Sequence, residues 1–227
     1  MSLVFLFLIP LAIAILIVVD RNLNESPAQS YGHEVKQHDR KEIKGSIGED
    51  IISRKLVSKY GFAPESIYRN IYVPDKRGNT AEIDIVIASR KGLLVFECKN
   101  FSGTIYGDAR MDNWIQYVGQ EKNFFYSPIK QNKKHCRVLK NYLAEVGDIP
   151  VIPFVAVTGG GNWKVRNLSN TDYMIELNCS FNEIYNWLPE SQPMIENMDK
   201  VKEVLSRLAN VDDSVKVEHV ASIVHNR

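Results

Sequence analysis

Two apolar runs separated by a short polar turn dominate the hydrophobic pattern of this chain. Residues 82–88 and residues 93–99 each alternate between two kinds of side chain, and the tetrapeptide SRKG lies between them at 89–92. Successive side chains of a strand point to opposite faces of the sheet, so the pattern predicts a β-hairpin. Two apolar faces are predicted, one from each strand: Ile83, Ile85 and Ile87, and Leu94, Phe96 and Cys98.

The rest of the pattern predicts helices alternating with strands. Apolar residues recur at helical spacing in residues 45–60, 128–146 and 194–208, while short apolar runs at 67–73, 151–158 and 173–177 are typical of strands. Such alternation predicts an α/β fold in which a mixed central sheet is flanked by helices.

The N-terminus is an unbroken apolar stretch that begins at Leu3 and ends at Val19. As a helix it would span about 26 Å, close to the roughly 30 Å of a bilayer core. A signal peptide is the alternative, but basic residues follow this stretch and none precedes it. This asymmetry favours a single-pass membrane anchor with the C-terminal domain in the cytoplasm. The predicted organisation is an anchor at 1–20, a juxtamembrane linker at 21–44, a globular domain at 45–190 and a helical extension at 191–227.

Composition and charge narrow the classes of function. The 227 residues carry a formal net charge of +1, so nucleic-acid binding would require a local basic patch. Three widely spaced cysteines form neither a disulfide framework nor a zinc motif.

Charged residues interrupt the hairpin near one end. If the loop holds two or four residues, Ala88 pairs with Leu93, Asp84 lies opposite Glu97, and Glu82 lies opposite Lys99. Opposed carboxylates destabilise a strand pair unless they share a proton or a cation. A hard divalent ion such as Mg²⁺ is the simplest partner for these oxygen ligands.

Four short motifs in this chain resemble the nuclease-related domain family of the restriction-endonuclease-like PD-(D/E)XK superfamily. They are GSIGE at 45–49, AEID at 81–84, FECKN at 96–100 and SPIKQ at 127–131, in the family's order. The resemblance implies a restriction-endonuclease-like core and a metal-dependent nuclease. It also implies that Asp84, Glu97 and the backbone carbonyl of Cys98 bind Mg²⁺ or Mn²⁺, and that Lys99 acts on the water or phosphate.

Two more polar residues belong to the site that the resemblance implies. Glu49 falls on the apolar stripe of the first predicted helix. One interpretation is a first-turn glutamate that the helix dipole favours. The other, which the resemblance implies, is a carboxylate turned toward the metal. Gln131 matches the family's glutamine at the start of the second helix, where it would hold the attacking water or the phosphate.

Two further features allow nucleic-acid contacts. One face of the second helix is basic and is either a solvated surface or a phosphate-binding stripe. Trp114 and Tyr117 are expected to pack in the core or at its rim, with base stacking as the alternative. The candidate phosphate-binding residues are Lys130, Lys133, Lys134 and Arg137.

The sequence therefore predicts a membrane-anchored, Mg²⁺-dependent nuclease acting on nucleic acid, with DNA as the expected substrate. The alternative is a nuclease-fold module that binds nucleic acid or a protein partner at the membrane and cuts nothing.

Overall fold

The computed structural model describes residues 30–176, 185, 186, 188 and 197–225. The predicted anchor at residues 3–19 lies outside them, and no helix within them is long and apolar enough to cross a membrane. The chain divides into two units between Glu42 and Ile43, close to the predicted end of the linker. All the predicted site residues lie in the second unit.

Four α-helices, one short 3-10 helix (Pro64–Ser66) and nine strands lie in the described residues. The first α-helix begins inside the predicted linker, at Ser30, and the second α-helix ends at Tyr142, earlier than predicted. The helices are α1 (Ser30–Ser58), α2 (Pro128–Tyr142), α3 (Met198–Ala209) and α4 (Asp213–His225). The strands are β1 (Ile67–Pro74), β2 (Thr80–Ser89), β3 (Gly92–Asn100), β4 (Thr104–Asp108), β5 (Asn113–Val118), β6 (Glu121–Tyr126), β7 (Val151–Thr158), β8 (Asn162–Arg166) and β9 (Tyr173–Glu176).

The central sheet is mixed, as predicted, with the strand order β1-β2-β3-β7-β9. β2 is antiparallel to both of its neighbours, β1 and β3, while β7 runs parallel to β3 and β9. Ala88 pairs with Leu93 across a two-residue loop, which confirms the predicted hairpin register. The two predicted pairs beyond this point, Asp84 with Glu97 and Glu82 with Lys99, are not part of the ladder, because it ends at the pair of Ile85 and Phe96.

A local irregularity in β1 and β2 changes which side chains share a face. Asn70 has a φ of +48°, an unusual backbone conformation that asparagine tolerates better than most residues, and neither it nor Asp84 joins the β1–β2 ladder. Ile83 consequently packs with Val86, whereas Ile85 belongs to the apolar cluster on the other face. The predicted shared face of the three isoleucines is therefore interrupted at Asp84.

Helices cover both faces of the central sheet. Ile52 and Leu56 of α1 are fully buried in one apolar cluster with β2 and β3. On the opposite face, Leu139 of α2 and Leu205 of α3 are fully buried in a second cluster. Because α3 belongs to this core, the segment predicted as a C-terminal extension contributes to the packing of the main domain.

A second sheet, with the order β6-β5-β4-β8, was not predicted. It continues the parallel pair of β3 and β7, because β4 and β8 follow these two strands and are again parallel. Gly159 lies at the corner with a φ of +83°, and a Cβ there would come within 2.6 Å of the Asn100 side chain. The glycine run at 159–161, which the sequence identifies only as a loop, thus lets the strand pair bend from one sheet into the other.

Trp114 anchors the inner face of the second sheet. Its side chain is fully buried with Ile105 and Val157, and its indole N–H donates to the Asp108 carbonyl at 3.0 Å. The core-packing interpretation is correct for Trp114, whereas Tyr117 is 37% exposed.

Candidate active site

Asp84 and Glu97 lie where β2 and β3 separate. The ladder ends one pair earlier, and Oδ2 of Asp84 accepts the Cys98 backbone N–H at 2.7 Å in place of a main-chain acceptor. The N–H and C=O groups of one strand residue point to the same edge of that strand. The Cys98 carbonyl therefore faces the same opening between the strands as the Asp84 carboxylate.

Glu97 is the most deeply buried carboxylate of this opening, with only 1% of its side chain exposed. Nζ of Lys99 donates to Oε1 at 2.5 Å. Nδ1 of His135, on α2, lies 3.4 Å from Oε2, although the two atoms are not aligned for a hydrogen bond. The Glu97 anion is thus held between a lysine cation and a histidine ring.

The two carboxylates have opposite pKa shifts. Burial and then the neighbouring Glu97 anion raise the pKa of Asp84 well above its ordinary value, against the opposing effect of Lys99. Burial also raises the pKa of Glu97, but Lys99 and His135 outweigh it, so that the net pKa is lowered. Burial alone would lower the pKa of Lys99, and the carboxylates of Glu97 and Asp84 raise it overall. Lys99 therefore stabilises the anionic form of Glu97, whereas at Asp84 its effect on the pKa is outweighed by burial and by the Glu97 charge.

Glu49 reaches the same region from α1. A Cβ at Gly48 would lie 2.8 Å from Cβ of Asn100, so this glycine permits the close approach of α1 to the end of β3. The Glu49 carboxylate is 16% exposed and lies 3.7 Å from the Arg69 guanidinium. Burial raises its pKa despite Arg69, and Glu82 adds to the effect. Of the two sequence-based interpretations, the inward-facing carboxylate fits these contacts better than a frayed first-turn glutamate.

Gln131 lies near the start of α2. Ser127 caps this helix by accepting the backbone N–H of Lys130 at 3.4 Å, and Pro128 occupies the first turn, where its missing N–H costs nothing. Gln131 is half-buried and precedes His135 by four residues, so the two side chains share one face of the helix. That face is the one from which His135 approaches Glu97.

Two of the four predicted phosphate-binding residues are engaged in ion pairs. Nζ of Lys130 lies 2.6 Å from Asp112, and Nζ of Lys133 lies 2.5 Å from the nearly buried Asp172. Lys134 and Arg137 are exposed. Of the four basic residues predicted to bind phosphate, Lys134 and Arg137 are therefore the two best placed to do so.

The donor atoms suit a hard divalent cation. The two carboxylates and the Cys98 carbonyl supply the oxygen ligands that Mg²⁺ and Mn²⁺ prefer. Oε2 of Glu97 is buried without a hydrogen-bond partner among the described residues, so it is available as a ligand. The described part of the chain contains no group of three or more His, Cys, Asp or Glu side chains able to hold an ion, so other oxygen atoms would have to complete the coordination shell.

Sequence reasoning did not assign a role to two residues that contact the site. Arg69 lies 2.7 Å from Asp50 as well as close to Glu49, and His135 faces Glu97. The helical spacing of His135 from Gln131 was a usable signal for the histidine. Nothing in the alternation of β1 distinguishes Arg69 from a solvated strand residue.

Contacts of Glu82 with His219 and Tyr72 link the C-terminal helix α4 to β2. His219 of α4 is 8% exposed, and its Nε2 lies 3.5 Å from Oε2 of Glu82. The Tyr72 hydroxyl donates to Oε1 of the same glutamate at 2.8 Å. His219 had no partner that the sequence could identify, because the contact joins segments far apart in the chain.

Comparisons with known proteins agree with the motifs. Residues 44–158 match the nuclease-related domain. An uncharacterized protein of Bacillus anthracis is 27% identical over 198 residues, which cover 85% of this chain and 89% of that protein. No solved structure gives a significant match. The matched region contains Glu49, Asp84, Glu97, Lys99 and Gln131. Because this match covers half of the chain, the chain belongs to the nuclease-related domain family.

Proposed function

We propose that this chain is a metal-dependent nuclease that hydrolyses phosphodiester bonds of nucleic acid, with DNA as the expected substrate. One observation carries the proposal: the carboxylates of Asp84 and Glu97 lie at the opening of β2 and β3, where Asp84 accepts the Cys98 backbone N–H and Lys99 donates to Glu97. Neighbouring carboxylates whose pKa values are shifted in opposite directions, as those of Asp84 and Glu97 are, are typical of catalytic sites. Membership of the nuclease-related domain family supports phosphodiester hydrolysis as the reaction of this site.

Each residue of the site has a role in this proposal. Asp84, Glu97 and the Cys98 carbonyl would hold Mg²⁺ or Mn²⁺, with Glu49 in support. When bound, the ion lowers the pKa of a water and polarises a phosphate oxygen. Lys99 neutralises negative charge that develops on the phosphoryl oxygens. Gln131, on the helix face of His135, orients the water or the phosphate.

A cleavage assay tests the proposal. The full-length chain, purified in a mild nonionic detergent, is incubated with labelled single-stranded DNA, duplex DNA and RNA in Mg²⁺ or in EDTA. We expect products in Mg²⁺ and none in EDTA. Binding without cleavage of any substrate would contradict the nuclease proposal and favour the binding module.

The exposed basic residues of α2 should contribute nonspecific affinity. Replacing Lys134 and Arg137 together by Gln removes two exposed cations, so affinity for duplex DNA should fall. In a plot of log affinity against log salt concentration, the slope should become less steep by about 2. Binding titrations in EDTA at several salt concentrations measure this. Lys133→Gln is unsuitable for the comparison, because it leaves the Asp172 carboxylate without its ion-pair partner. An unchanged salt slope would identify the stripe as a solvated surface.

A membrane location is the second part of the proposal. The apolar residues 3–19 are followed, and not preceded, by basic residues, which favours an uncleaved anchor with the catalytic domain in the cytoplasm. Protease protection in spheroplasts, together with N-terminal sequencing of the isolated protein, measures both points. A mature N-terminus beyond Asp20, or digestion of the domain from outside, would contradict it.

A further inference from the structure

Four aromatic side chains lie exposed on the outer face of the second sheet. The register aligns Tyr106 with Ile115 and Ile115 with Phe124 across three strands. Successive alternate positions add Tyr117 and Tyr126 to this face. The exposed fractions are 45% for Tyr106, 37% for Tyr117, 65% for Phe124 and 48% for Tyr126. We call these four residues the aromatic face.

Cations are interleaved with the rings. Nζ of Lys122 lies 4.9 Å from the centroid of the Phe124 ring, and Nζ of Lys164 lies 5.2 Å from that of Tyr106. Arg166 is exposed on β8, two residues beyond Lys164 and on the same side. The carboxylate of Asp108, on the same face, is bound by Arg110 and Asn167. The face therefore presents exposed rings, two of which have a lysine cation beside them.

The opposite side of the same sheet is packed against the core. Trp114 and Ile105 are fully buried on the inner side of the same strands. The outer side carries a shallow hollow of about 400 Å³ lined by Thr104, Tyr106, Ile115 and Tyr117. The rings of Tyr106 and Tyr117 meet edge to face across it, with centroids 5.9 Å apart.

We propose that the aromatic face binds single-stranded nucleic acid by stacking its bases on the exposed rings, while Lys122, Lys164 and Arg166 contact its phosphates. This inference rests on the proposed function and names the form of the substrate. Rings interleaved with cations match the two parts of a single strand, since bases stack on aromatic side chains and the backbone requires positive charge. A duplex offers no free base faces along its length, because its bases are already stacked on one another.

The charge of the face argues against a second copy of this chain as its occupant. Lysine is depleted from the buried centres of protein interfaces, yet Lys122 and Lys164 lie directly over two of the rings. Burying these cations against the same face of another copy would bring like charges together.

The strand that carries Tyr106 follows the active-site strand directly in the chain. β4 begins at Thr104, five residues after Lys99, and five extended residues span at most about 18 Å. Thr104, which lines the hollow of the aromatic face, therefore lies within that distance of Lys99.

Binding in the absence of metal tests this inference separately from cleavage. The full-length Asp84→Asn protein, in detergent and EDTA, is titrated against fluorescein-labelled oligo(dT) of twelve nucleotides and against a twelve-base-pair duplex, with anisotropy as the readout. Phe124→Ala should weaken oligo(dT) binding roughly fivefold or more and leave duplex binding unchanged. Phe124→Leu should behave like Phe124→Ala, and Phe124→Trp should restore affinity, because only an aromatic ring stacks on a base.

The matched control is Val217→Ala, which removes an apolar side chain that is 66% exposed on α4 and should change neither affinity. Equal loss of duplex and oligo(dT) binding, or full affinity in Phe124→Leu, would overturn stacking. A change of oligomeric mass in Phe124→Ala, measured by sedimentation, would identify the face as a contact between copies instead. These results are independent of the Mg²⁺ assay, so a nuclease without a stacking face and a stacking face without nuclease activity give different outcomes.

Discussion

The Asp84→Asn variant is expected to cleave nucleic acid at least about 10³-fold more slowly than the wild type, while its metal-free form is at least as stable. The loss of rate follows because an amide cannot supply the anionic oxygen that the proposed ion requires, and interactions with a catalytic metal contribute several kcal/mol to the transition state. The amide oxygen of Asn can still accept the Cys98 N–H, which Oδ2 of Asp84 accepts at 2.7 Å.

The gain in metal-free stability has a defined pH dependence. Burial and Glu97 raise the pKa of Asp84 in the folded state above its ordinary value of 3.8. The folded protein therefore retains a proton that the unfolded chain releases, and the free energy of unfolding falls as pH rises from about 3.8 through the raised pKa. Asp84→Asn removes this loss, so its advantage over the wild type should grow across that window and disappear below it.

Thermal melts with and without Mg²⁺ separate metal binding from this electrostatic effect. Mg²⁺ should raise the melting temperature of the wild type, because it binds only the folded state, and should do much less for Asp84→Asn. Asp199→Asn, at an exposed position of α3, is the matched control and should respond to Mg²⁺ like the wild type. An equal Mg²⁺ response in Asp84→Asn would show that the ion binds elsewhere.

Lys99→Met is expected to lower the free energy of unfolding by about 3 kcal/mol at neutral pH, because it leaves the Glu97 carboxylate buried without its cation. Glu97 is 1% exposed, and Nζ of Lys99 donates to it at 2.5 Å. The variant should also lose cleavage. It should keep its stabilisation by Mg²⁺, since lysine does not ligate the ion.

Acid and a second substitution should both reverse this destabilisation. The lowered pKa of Glu97 contributes stability above its ordinary value of 4.5, and this is lost as pH falls through the folded-state pKa. Protonating Glu97 removes the unpaired charge, so the deficit of Lys99→Met should shrink on acidification. The double variant with Glu97→Gln should recover most of the lost stability, as a double-mutant cycle at neutral pH measures. If it is no more stable than Lys99→Met alone, the ion pair is not the cause.

The hairpin and its carboxylates are specified locally, and for that reason the sequence predicted them well. Strand alternation and a two-residue loop fix the pairing of Ala88 with Leu93, and this register places Asp84 beside the Cys98 backbone. The alternation could not reveal that the ladder is interrupted at Asn70, because the positive φ of one asparagine leaves the hydrophobic pattern unchanged.

The second sheet was missed for a different reason. Its strands are short and partly polar, and Tyr106, Tyr117 and Phe124 are exposed, so the usual rule of apolar inside and polar outside fails there. Only the bend at Gly159 shows that the parallel pair of β3 and β7 continues into β4 and β8.

By itself the sequence determined the α/β class, the hairpin, the family and the carboxylate-lysine motif, since these depend on periodicity and on residues close together in the chain. The tertiary structure alone decided which charges meet. It brought Arg69 to Glu49, His135 to Glu97, and His219 to Glu82. It also made α3 part of the core. Each of these contacts joins different elements, and their energy depends on distance and burial, which no local pattern of residues encodes.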